Sequence, residues 1–600
     1  MDPVIVVGAG PVGLALALAL ARREVRVVLL DETPADGPSA EERPARTAVL
    51  RPETAAALER LGCPLEGGAR WAGWRTVRRR AVVTQVPFGS PERHGKPDED
   101  TEGTERPEPV REPSPLHLPQ HVLTRELRAA LALEDRVRVV PGGRLDALRQ
   151  DAAGITAHTT GDKGGHWRGS YLVGCDGARS TVRKLLGARF PGRTAVERYA
   201  VAALRAELPW PGEAVLHRSP PRGSEVTARP LPGGVWRLDW LLPPGGELVT
   251  PDALLTLVRD SLTTWCGDVP PYELLDTGVH AVHHRLTRRM RTGRAFLAGD
   301  AAHLLGALGT QGLDEGLQDA GNLAWKLALA WHHGASEALL DSYQTERRGA
   351  IVARLRAADR ALPAVRGTGG WHTARRTLVP GATRGHDGLL MDGHLGRGVL
   401  GAPPVYARTP LAPASPPAGS VGVGTAPGAL VEDVPVTTPD GSVVGLRDRL
   451  GEDLLVVLVA PGTGVWERRH WLGAGLMPRL AAAVGALPMR AELLVAEGYP
   501  GADAHTVLVV RPDGHLVAAL SGVRAAELYA CADAVRGGAA APRAFGEESP
   551  EGSGSPDVSE DAGSSEDSGG YEDDAPGDAE GNARHTDEPD GAPSEATANR

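Results

Sequence analysis

A glycine-rich turn near the N-terminus constrains the fold of this chain more than any other feature. The apolar run Val4–Val7 predicts a buried strand, Leu14–Arg22 a helix and Val25–Leu30 a second strand. Strand, helix and strand within about 30 residues predict a βαβ unit on a parallel sheet. The turn between the first strand and the helix reads Gly8-Ala9-Gly10-Pro11-Val12-Gly13.

Each glycine of this turn meets a separate geometric need. Gly8 permits the tight turn, Gly10 lets a pyrophosphate approach the backbone, and Gly13 lets helix and strand pack closely. The helix N-terminus adds unpaired N–H groups and the positive end of the helix dipole. Together with Pro11 and Val12, these glycines are predicted to bind a dinucleotide.

Two acidic residues, Asp31 and Glu32, follow the second strand. A carboxylate at this place in a dinucleotide-binding unit binds ribose hydroxyls. Asp31 stands at the expected distance from Gly8, and Glu32 is its neighbour. An acid here favours an unphosphorylated adenosine ribose, as in FAD or NAD. The alternative is a solvated acidic pair at the end of a strand.

The negative charge of the chain is concentrated at its C-terminal end. The 600 residues have a formal net charge of −11. Residues 546–600 hold 17 acidic and two basic residues, a formal charge of −15, which leaves +4 for residues 1–545. The body is therefore close to neutral, and the Glu/Asp/Ser/Gly/Pro-rich tail predicts disorder.

The four cysteines form no CxxC pair and have no metal-ligand spacing. Such usage excludes a disulfide scaffold and suits a reducing cytosol. The N-terminus has no signal-peptide pattern, and no apolar run reaches the ~18–20 residues of a membrane span. We therefore expect a soluble, cytoplasmic protein with no metal site, membrane association or nucleic-acid partner.

Two further motifs point to a family. The run Gly174-Cys175-Asp176-Gly177-Ala178-Arg179-Ser180-Thr181-Val182-Arg183 resembles the DG motif of group A flavoprotein monooxygenases, the aromatic hydroxylases built like p-hydroxybenzoate hydroxylase. The run Gly293-Arg294-Ala295-Phe296-Leu297-Ala298-Gly299-Asp300-Ala301-Ala302-His303 resembles the GD motif of the same family, and the match continues from Gln311 to Leu327. The resemblance covers about residues 3–360.

This resemblance implies a role for each matching residue. The ADP part of FAD would be held by Gly8, Gly10, Gly13 and Asp31. Asp300 would bind the ribityl chain beside Gly299, and Asp176 would lie near the pyrophosphate and help NADPH use the same groove. Arg46 and Gln120 would contact the cofactor. The last two could instead be a surface arginine and a helix-capping amide. A helix beginning near Gly312 and Leu313 would aim its positive end at the flavin pyrimidine.

The chain departs from the family pattern at two places. No proline pair follows His303, where this sequence has Leu304-Leu305-Gly306. Asp314 replaces an asparagine, and a carboxylate aimed at the flavin would oppose negative charge on the cofactor. We expect Asp314 to cap the helix instead, since Asp is a preferred N-cap residue.

Two groups of side chains outside these motifs resemble functional clusters, but we expect them to be structural. His280, His283 and His284 lack accompanying Cys or acidic ligands, and we place them on a strand at a domain junction. Trp236 and Trp240 have same-face spacing and could line an aromatic pocket, but core packing is the default expectation. We likewise expect His303 to be a structural histidine.

The motifs and composition predict a mixed α/β chain. The run Leu508-Val509-Val510-Arg511-Pro512-Asp513-Gly514-His515 resembles the thioredoxin-like domain appended to phenol and polyketide hydroxylases. We predict a Rossmann-like FAD-binding domain with a parallel sheet, and this domain is made of three chain segments, 1–85, 120–185 and 285–360. A charged loop insertion at 86–119 and an antiparallel-sheet substrate-binding domain at 186–284 interrupt it. A linker at 361–425, a thioredoxin-like domain without CxxC at 426–540 and a disordered acidic tail at 546–600 follow.

The resemblance implies an FAD- and NAD(P)H-dependent monooxygenase of the aromatic polyketide hydroxylase type, with non-covalent FAD and NADPH or NADH as co-substrate. It would insert one oxygen atom of O₂ into an aromatic small molecule through a flavin C4a-hydroperoxide, by hydroxylation or Baeyer–Villiger insertion. The chain would be a monomer or homodimer acting in antibiotic biosynthesis. The alternatives are a related flavin halogenase or reductase, and an FAD-binding scaffold or sensor without turnover. The sequence identifies no catalytic base.

The acidic tail is predicted to have no part in catalysis. A chain ending at Phe545 is expected to keep its FAD and its activity, because the removed residues contribute solvated charge and no core. The flavin content per chain and the rate of NADPH oxidation test this. Loss of either would show that the tail matters.

Overall fold

The computed structural model describes residues 1–34, 42–89, 112–161, 164–222, 225–243, 249–306, 311–334, 336–366, 391–393, 397–462 and 475–538. The predicted acidic tail therefore lies outside the described residues, as do residues 90–111 of the predicted loop and residues 367–390 and 394–396 of the predicted linker.

The opening βαβ unit is present and forms the centre of the first sheet. Strand Val4–Val7 is completely buried and pairs in parallel with Val27–Asp31 on one side and Tyr171–Gly174 on the other. In the described residues this sheet has six strands, in the order Arg291–Thr292, Ala295–Leu297, Tyr171–Gly174, Val4–Val7, Val27–Asp31 and Val137–Pro141. The predicted parallel sheet is confirmed; only the short edge strand Arg291–Thr292 is antiparallel.

The helix after the glycine-rich turn, Pro11–Ala21, is apolar on every side and almost wholly buried. Such a helix needs cover all round, and the long helix Gln311–His333 and the helix Gln120–Leu131 supply it. The other helices are Pro52–Arg60, Thr181–Leu185, Pro251–Cys266, Glu337–Tyr343, Gly349–Arg366, Gly398–Gly401, Met477–Gly485 and Ala525–Val535, with a π-helical turn at Gln344–Arg348 and 3₁₀ turns at Pro232–Gly234, Gly299–Ala301 and Leu446–Arg449.

A second, largely antiparallel sheet includes the strands of residues 186–284, the segment predicted to bind substrate; that role stays a prediction. Its nine described strands follow the order His303–Leu304, Tyr272–Leu286, Gly192–Ala206, Val235–Leu241, Val226–Pro230, Glu213–Arg218, Gly73–Arg78, Ala81–Gly89 and Glu112–Pro113. The sequence predicts residues 73–85 in the FAD-binding domain and residues 86–89 in a loop insertion. Their hydrogen bonds put them in this sheet instead, because Gly73–Arg78 pairs in parallel with Glu213–Arg218.

The two faces of this second sheet have opposite characters. Trp236, Leu238 and Trp240 point to the face that packs against helix Pro251–Cys266, and the Trp240 Nε1–H donates to Ser261 Oγ at 3.0 Å. The expected core role of both tryptophans is thus confirmed. Because side chains alternate along a strand, Arg237 lies on the other face, toward the first sheet.

Two small sheets complete the N-terminal part of the chain. Thr47–Leu50, Leu116–Pro119 and Ala69–Arg70 form one; Arg144–Gln150, Ile155–Thr160 and Gly165–Gly169 form the other. Strand Leu116–Pro119 falls inside the predicted loop 86–119, so the end of that segment belongs to the folded core.

The C-terminal unit is the predicted α/β domain. Its described strands follow the order Val443–Gly445, Pro435–Thr437, Ala491–Ala496, Leu454–Val459, Thr506–Val510 and Leu516–Ser521. Leu454–Val459 pairs in parallel with Ala491–Ala496 and antiparallel with Thr506–Val510. Part of the predicted linker also packs: Tyr406 is buried, and its ring lies 4.3 Å from that of His515.

A buried network of ion pairs joins this unit to the N-terminal part of the chain. The Glu346 carboxylate, in the π-helical turn, accepts hydrogen bonds from Arg511 Nη1 at 2.6 Å and from Lys326 Nζ at 2.6 Å. Arg511 also pairs with Asp513. Burial alone would raise the pKa of Glu346, but the charges of Lys326 and Arg511 hold it below its usual range.

Substituting Glu346 by glutamine is expected to lower the free energy of unfolding by about 3–5 kcal/mol, because buried Lys326 loses its ion-pair partner and buried Arg511 keeps only Asp513. Denaturant unfolding of the full chain measures this. Arg449→Met is the matched control: it breaks the exposed Arg449–Glu492 pair, which is expected to contribute at most about 1 kcal/mol. Equal effects of the two variants would contradict the assigned role of the buried network.

Candidate active site

A cleft of about 640 Å³ lies between the carboxyl ends of the first sheet and the polar face of the second. Its walls include the predicted cofactor residues Gly10, Pro11, Val12, Arg46, Gln120, Asp300, Gly312 and Leu313. The backbone N–H of Gln120 donates to the Arg46 carbonyl oxygen at 2.8 Å, which brings these two residues together. The other predicted residues, Gly8, Gly13, Asp31, Glu32, Asp176 and Gly299, do not line the cleft.

The three glycines of the first turn have different surroundings. Gly8 has φ of +103°, and a Cβ on it would lie 2.6 Å from the Cys175 carbonyl oxygen. A Cβ on Gly13 would lie 2.0 Å from the Gly8 carbonyl oxygen. A Cβ on Gly10 would meet no atom within 4 Å. Gly8 and Gly13 therefore permit the fold, whereas the space above Gly10 is open to a ligand.

The carboxylates of Asp31 and Asp176 fix local structure. Asp31 accepts hydrogen bonds from the backbone N–H of Ala9 at 2.5 Å and of Thr33 at 2.8 Å, which ties the glycine-rich turn to the second strand. Asp176 accepts from Ser180 Oγ and from two backbone N–H groups at the start of helix Thr181–Leu185. Contacts of these two acids with a cofactor stay predictions.

The GD motif places one carboxylate in the cleft. Asp300 lines the cleft, and in the described part of the chain no group hydrogen-bonds its carboxylate. The surrounding protein raises its pKa by desolvation, against the opposing charges of His303 and Arg46. A hydroxyl-bearing ligand would satisfy these acceptors. Gly299, beside it, has φ of +59°, a conformation that favours glycine.

Buried Asp319 holds this motif in place. Its Oδ2 accepts from the Gly299 backbone N–H at 2.9 Å and from His303 Nε2 at 2.7 Å. Its Oδ1 accepts from Arg347 Nε at 2.7 Å. His303 is completely buried, so its expected structural role is confirmed. Asp319 lies within the segment that matches the family motifs, but no motif predicts its role.

The expectation that Asp314 caps its helix is wrong. The helix begins at Gln311, so Asp314 lies inside its first turn. The carboxylate accepts from the Arg51 backbone N–H at 3.0 Å and pairs with the Arg51 guanidinium. This pairing compensates the buried charge of Asp314, and the positive end of the helix faces the cleft at Gly312.

Several cleft residues come from the second sheet and were missed from the sequence. Arg43 Nε donates to Asp276 Oδ1 at 3.0 Å, which links the two walls of the cleft. Arg237 pairs with Asp239 at 2.7 Å, and its Nη1 donates to Thr47 Oγ1 at 2.9 Å. The alternation of tryptophans with Arg237 and Asp239 in 235–241 was the available signal, because it marks a strand with one apolar and one polar face.

The comparison with known proteins agrees with this site. A family model described as "FAD binding domain" matches residues 1–358. The chain belongs to this family. The FAD-binding family therefore accounts for both sheets and for the cleft between them.

Individual relatives of the FAD-binding family are similar over the same part of the chain. The 3-(3-hydroxy-phenyl)propionate/3-hydroxycinnamic acid hydroxylase of Paraburkholderia xenovorans is 33% identical over 357 residues, which are 58% of this chain and 52% of that protein. Rifampicin monooxygenase of Streptomyces venezuelae is 34% identical over 362 residues, 58% of this chain and 68% of that protein. The chain thus spans about half to two thirds of the length of these curated relatives.

A solved structure shows the same fold over nearly the whole chain. The crystal structure of the flavin-dependent monooxygenase PieE in complex with FAD and substrate superimposes with a TM-score of 0.66, covering 89% of this chain and 98% of that one, at 21% sequence identity. The mixed α/β architecture predicted from the sequence is therefore confirmed.

The residues present fit FAD. The open space at Gly10 and the N-terminus of helix Pro11–Ala21 suit a pyrophosphate. The Asp300 carboxylate, which lines the cleft, suits the hydroxyl groups of a ribityl chain. In the described residues, no cluster of three or more His, Cys, Asp or Glu could hold a metal, and no described helix is long and apolar enough to cross a membrane.

Gly10→Ala is expected to fold normally and to bind FAD at least about tenfold more weakly, a loss of about 1.4 kcal/mol. The backbone at Gly10 (φ −76°, ψ 175°) is open to alanine, but the added methyl group occupies the space left for the ligand. Titration of the apoprotein with FAD, followed by flavin fluorescence, measures the change. Gly321→Ala, on an exposed face of helix Gln311–His333, is the control and should bind FAD normally; equal affinities of both variants would contradict the assignment.

Proposed function

We propose that this chain is an FAD- and NAD(P)H-dependent monooxygenase that inserts one oxygen atom from O₂ into an aromatic, polyketide-like small molecule. The observation that carries this proposal is the single cleft lined by both the flavin motifs and the polar face of the second sheet. The relatives named as hydroxylases and monooxygenases support it.

Bound FAD supplies the redox chemistry, accepting electrons from NAD(P)H and activating O₂. The chain's own residues bind and orient it: the turn around Gly10 receives the pyrophosphate and Asp300 the ribityl hydroxyls. The N-terminus of helix Gln311–His333 presents its positive end to the cleft, where it stabilises negative charge developing on the cofactor.

The apolar lining controls water at the reacting end. Leu304, Leu305 and Leu313 line the cleft on the side of the GD motif. Val201 and Val282 line it on the side of the second sheet. Such a lining would limit the access of water to bound FAD and so suppress unproductive release of hydrogen peroxide. An aromatic ring between these two walls is the substrate class that such a lining fits.

The proposal also covers the location, the biological role, the electron donor and the oligomeric state. The cysteines of the described chain, Cys63, Cys175, Cys266 and Cys531, are all free thiols, which supports a reducing, cytoplasmic location. We propose a role in antibiotic biosynthesis, with NADPH or NADH as donor, in a monomer or homodimer. The acidic tail's lack of a catalytic role belongs to the same proposal, as do the predicted domain boundaries except at residues 73–89, at residues 116–119 and near Tyr406, where the fold differs.

The decisive experiment follows oxygen into the product. The purified, FAD-loaded chain should be reduced anaerobically by NADPH in the presence of members of an aromatic polyketide panel, and then mixed with isotopically labelled O₂. One labelled oxygen atom in the product is expected. A chlorinated product would indicate a halogenase. A chain that binds FAD but oxidises NADPH with no member of the panel would be a flavin-bound scaffold or sensor.

A further inference from the structure

Arg51 is a buried arginine that binds two carboxylates beside the cleft. It follows strand Thr47–Leu50 and precedes helix Pro52–Arg60. Its backbone N–H donates to Asp314 Oδ1 at 3.0 Å, and its Nη2 donates to Glu315 Oε1 at 2.7 Å. The guanidinium also pairs with the Asp314 carboxylate. All three residues are buried, so salt and solvent screen this arrangement little.

The two carboxylates follow directly on residues that line the cleft. Gly312 and Leu313 line it, and Asp314 and Glu315 are the next two residues of helix Gln311–His333. The charges of this pair therefore act on the cleft over a short distance through the protein interior. An interior of low effective dielectric transmits such charges more strongly than water does.

The two carboxylates differ in their other partners. Glu315 also pairs with Arg347 at 2.8 Å and with Arg354 at 2.5 Å. In the described part of the chain, Asp314 forms hydrogen bonds and an ion pair with Arg51 alone. Loss of the Arg51 guanidinium would therefore leave Glu315 with two cations and Asp314 without an ion-pair partner.

The charge states of the neighbouring groups agree with this arrangement. Burial alone would lower the pKa of Arg51, but Asp314 and Glu315 raise the pKa above its usual value. Glu53, another carboxyl beside the pair, has its pKa raised by burial, against its own backbone hydrogen bond and the charge of Arg51. Arg51 therefore stays charged and compensates Asp314.

We propose that Arg51 is a positioning residue, which holds and compensates Asp314 and so keeps this end of the cleft favourable to reduced FAD. The inference rests on FAD as the bound cofactor of the proposed function. Reduced FAD carries negative charge on its ring system, whereas the ring system of oxidised FAD is neutral. An uncompensated carboxylate would therefore penalise the reduced form more, and only such a differential interaction shifts the equilibrium between two states.

The test measures the two-electron reduction potential of FAD bound to the full chain, against a reference dye. Arg51→Met is expected to weaken the binding of reduced FAD relative to oxidised FAD at least about tenfold, which lowers the potential by about 30 mV. Asp314→Asn should raise the potential, because it leaves positive charge in excess. The double variant removes one charge of each sign and should return the ratio of affinities to within about threefold of the wild-type ratio.

The opposite signs separate a charge effect from a loss of structure. Disturbing the same contact from either side would shift the potential in one direction, and the double variant would not recover. Asp314→Asn keeps the shape of the side chain, and its amide oxygen can still accept from the Arg51 backbone N–H. Its expected upward shift therefore tests the inference even if Arg51→Met fails to fold.

Arg75→Met is the matched control. It removes a guanidinium from the Arg75–Glu213 pair, at 2.7 Å on the second sheet, and neither residue lines the cleft. It should leave the potential unchanged. Unchanged potentials in Arg51→Met and Asp314→Asn, shifts of the same sign, or an equal shift in Arg75→Met would overturn the inference and leave the proposed function intact. Failure of NADPH to reduce the bound FAD, with the expected pattern of potentials present, would contradict the proposed function alone.

Discussion

Asp319 accepts hydrogen bonds from a backbone N–H, an imidazole and a guanidinium while completely buried. Burial alone would raise its pKa, but His303 and Arg347 hold the pKa below its usual range, so the carboxylate stays charged. An unpaired buried charge is strongly destabilising, and the three donors are therefore fixed around it. Through Gly299 this interaction sets the backbone that carries Asp300 into the cleft.

The same carboxylate connects the cleft to the rest of the molecule. Arg347 also forms an ion pair with Glu315. Glu315 forms a second ion pair with Arg51, which pairs with Asp314 as well. The π-helical turn at Gln344–Arg348 allows the consecutive residues Glu346 and Arg347 both to be buried. Arg347 donates to Asp319 beside the GD motif, whereas Glu346 accepts a hydrogen bond from Arg511 of the C-terminal unit. A helical irregularity of this kind is frequent at functional sites, and here it couples the appended unit to the GD motif.

The second sheet supplies the side chains of one wall of the cleft. Its apolar face packs on helix Pro251–Cys266 and stabilises the lobe. Its opposite face carries Arg237, Asp239 and His280 toward the cleft. The polar groups there are paired within the wall or stacked on Tyr199. The cofactor end of the cleft depends on glycine geometry and helix termini, and the sheet end depends on side chains, which explains why only the first end has a strong sequence motif.

Local sequence determined the parts of this protein that depend on backbone geometry. Short motifs predict the opening βαβ unit, the glycines at positions where a side chain would clash, and the family. They can do so because turn chemistry and strand burial are local properties. The core role of Trp236 and Trp240 was the default expectation for two tryptophans with same-face spacing. Only the tertiary structure decided which distant residues meet. It paired Asp314 with Arg51 rather than with its own helix end, placed residues 73–89 in the second sheet, and brought Arg43 to Asp276 and His280 to Tyr199. These contacts join residues up to 263 positions apart, and no local pattern specifies such a partner, because the pairing is set by packing and charge compensation in the folded chain.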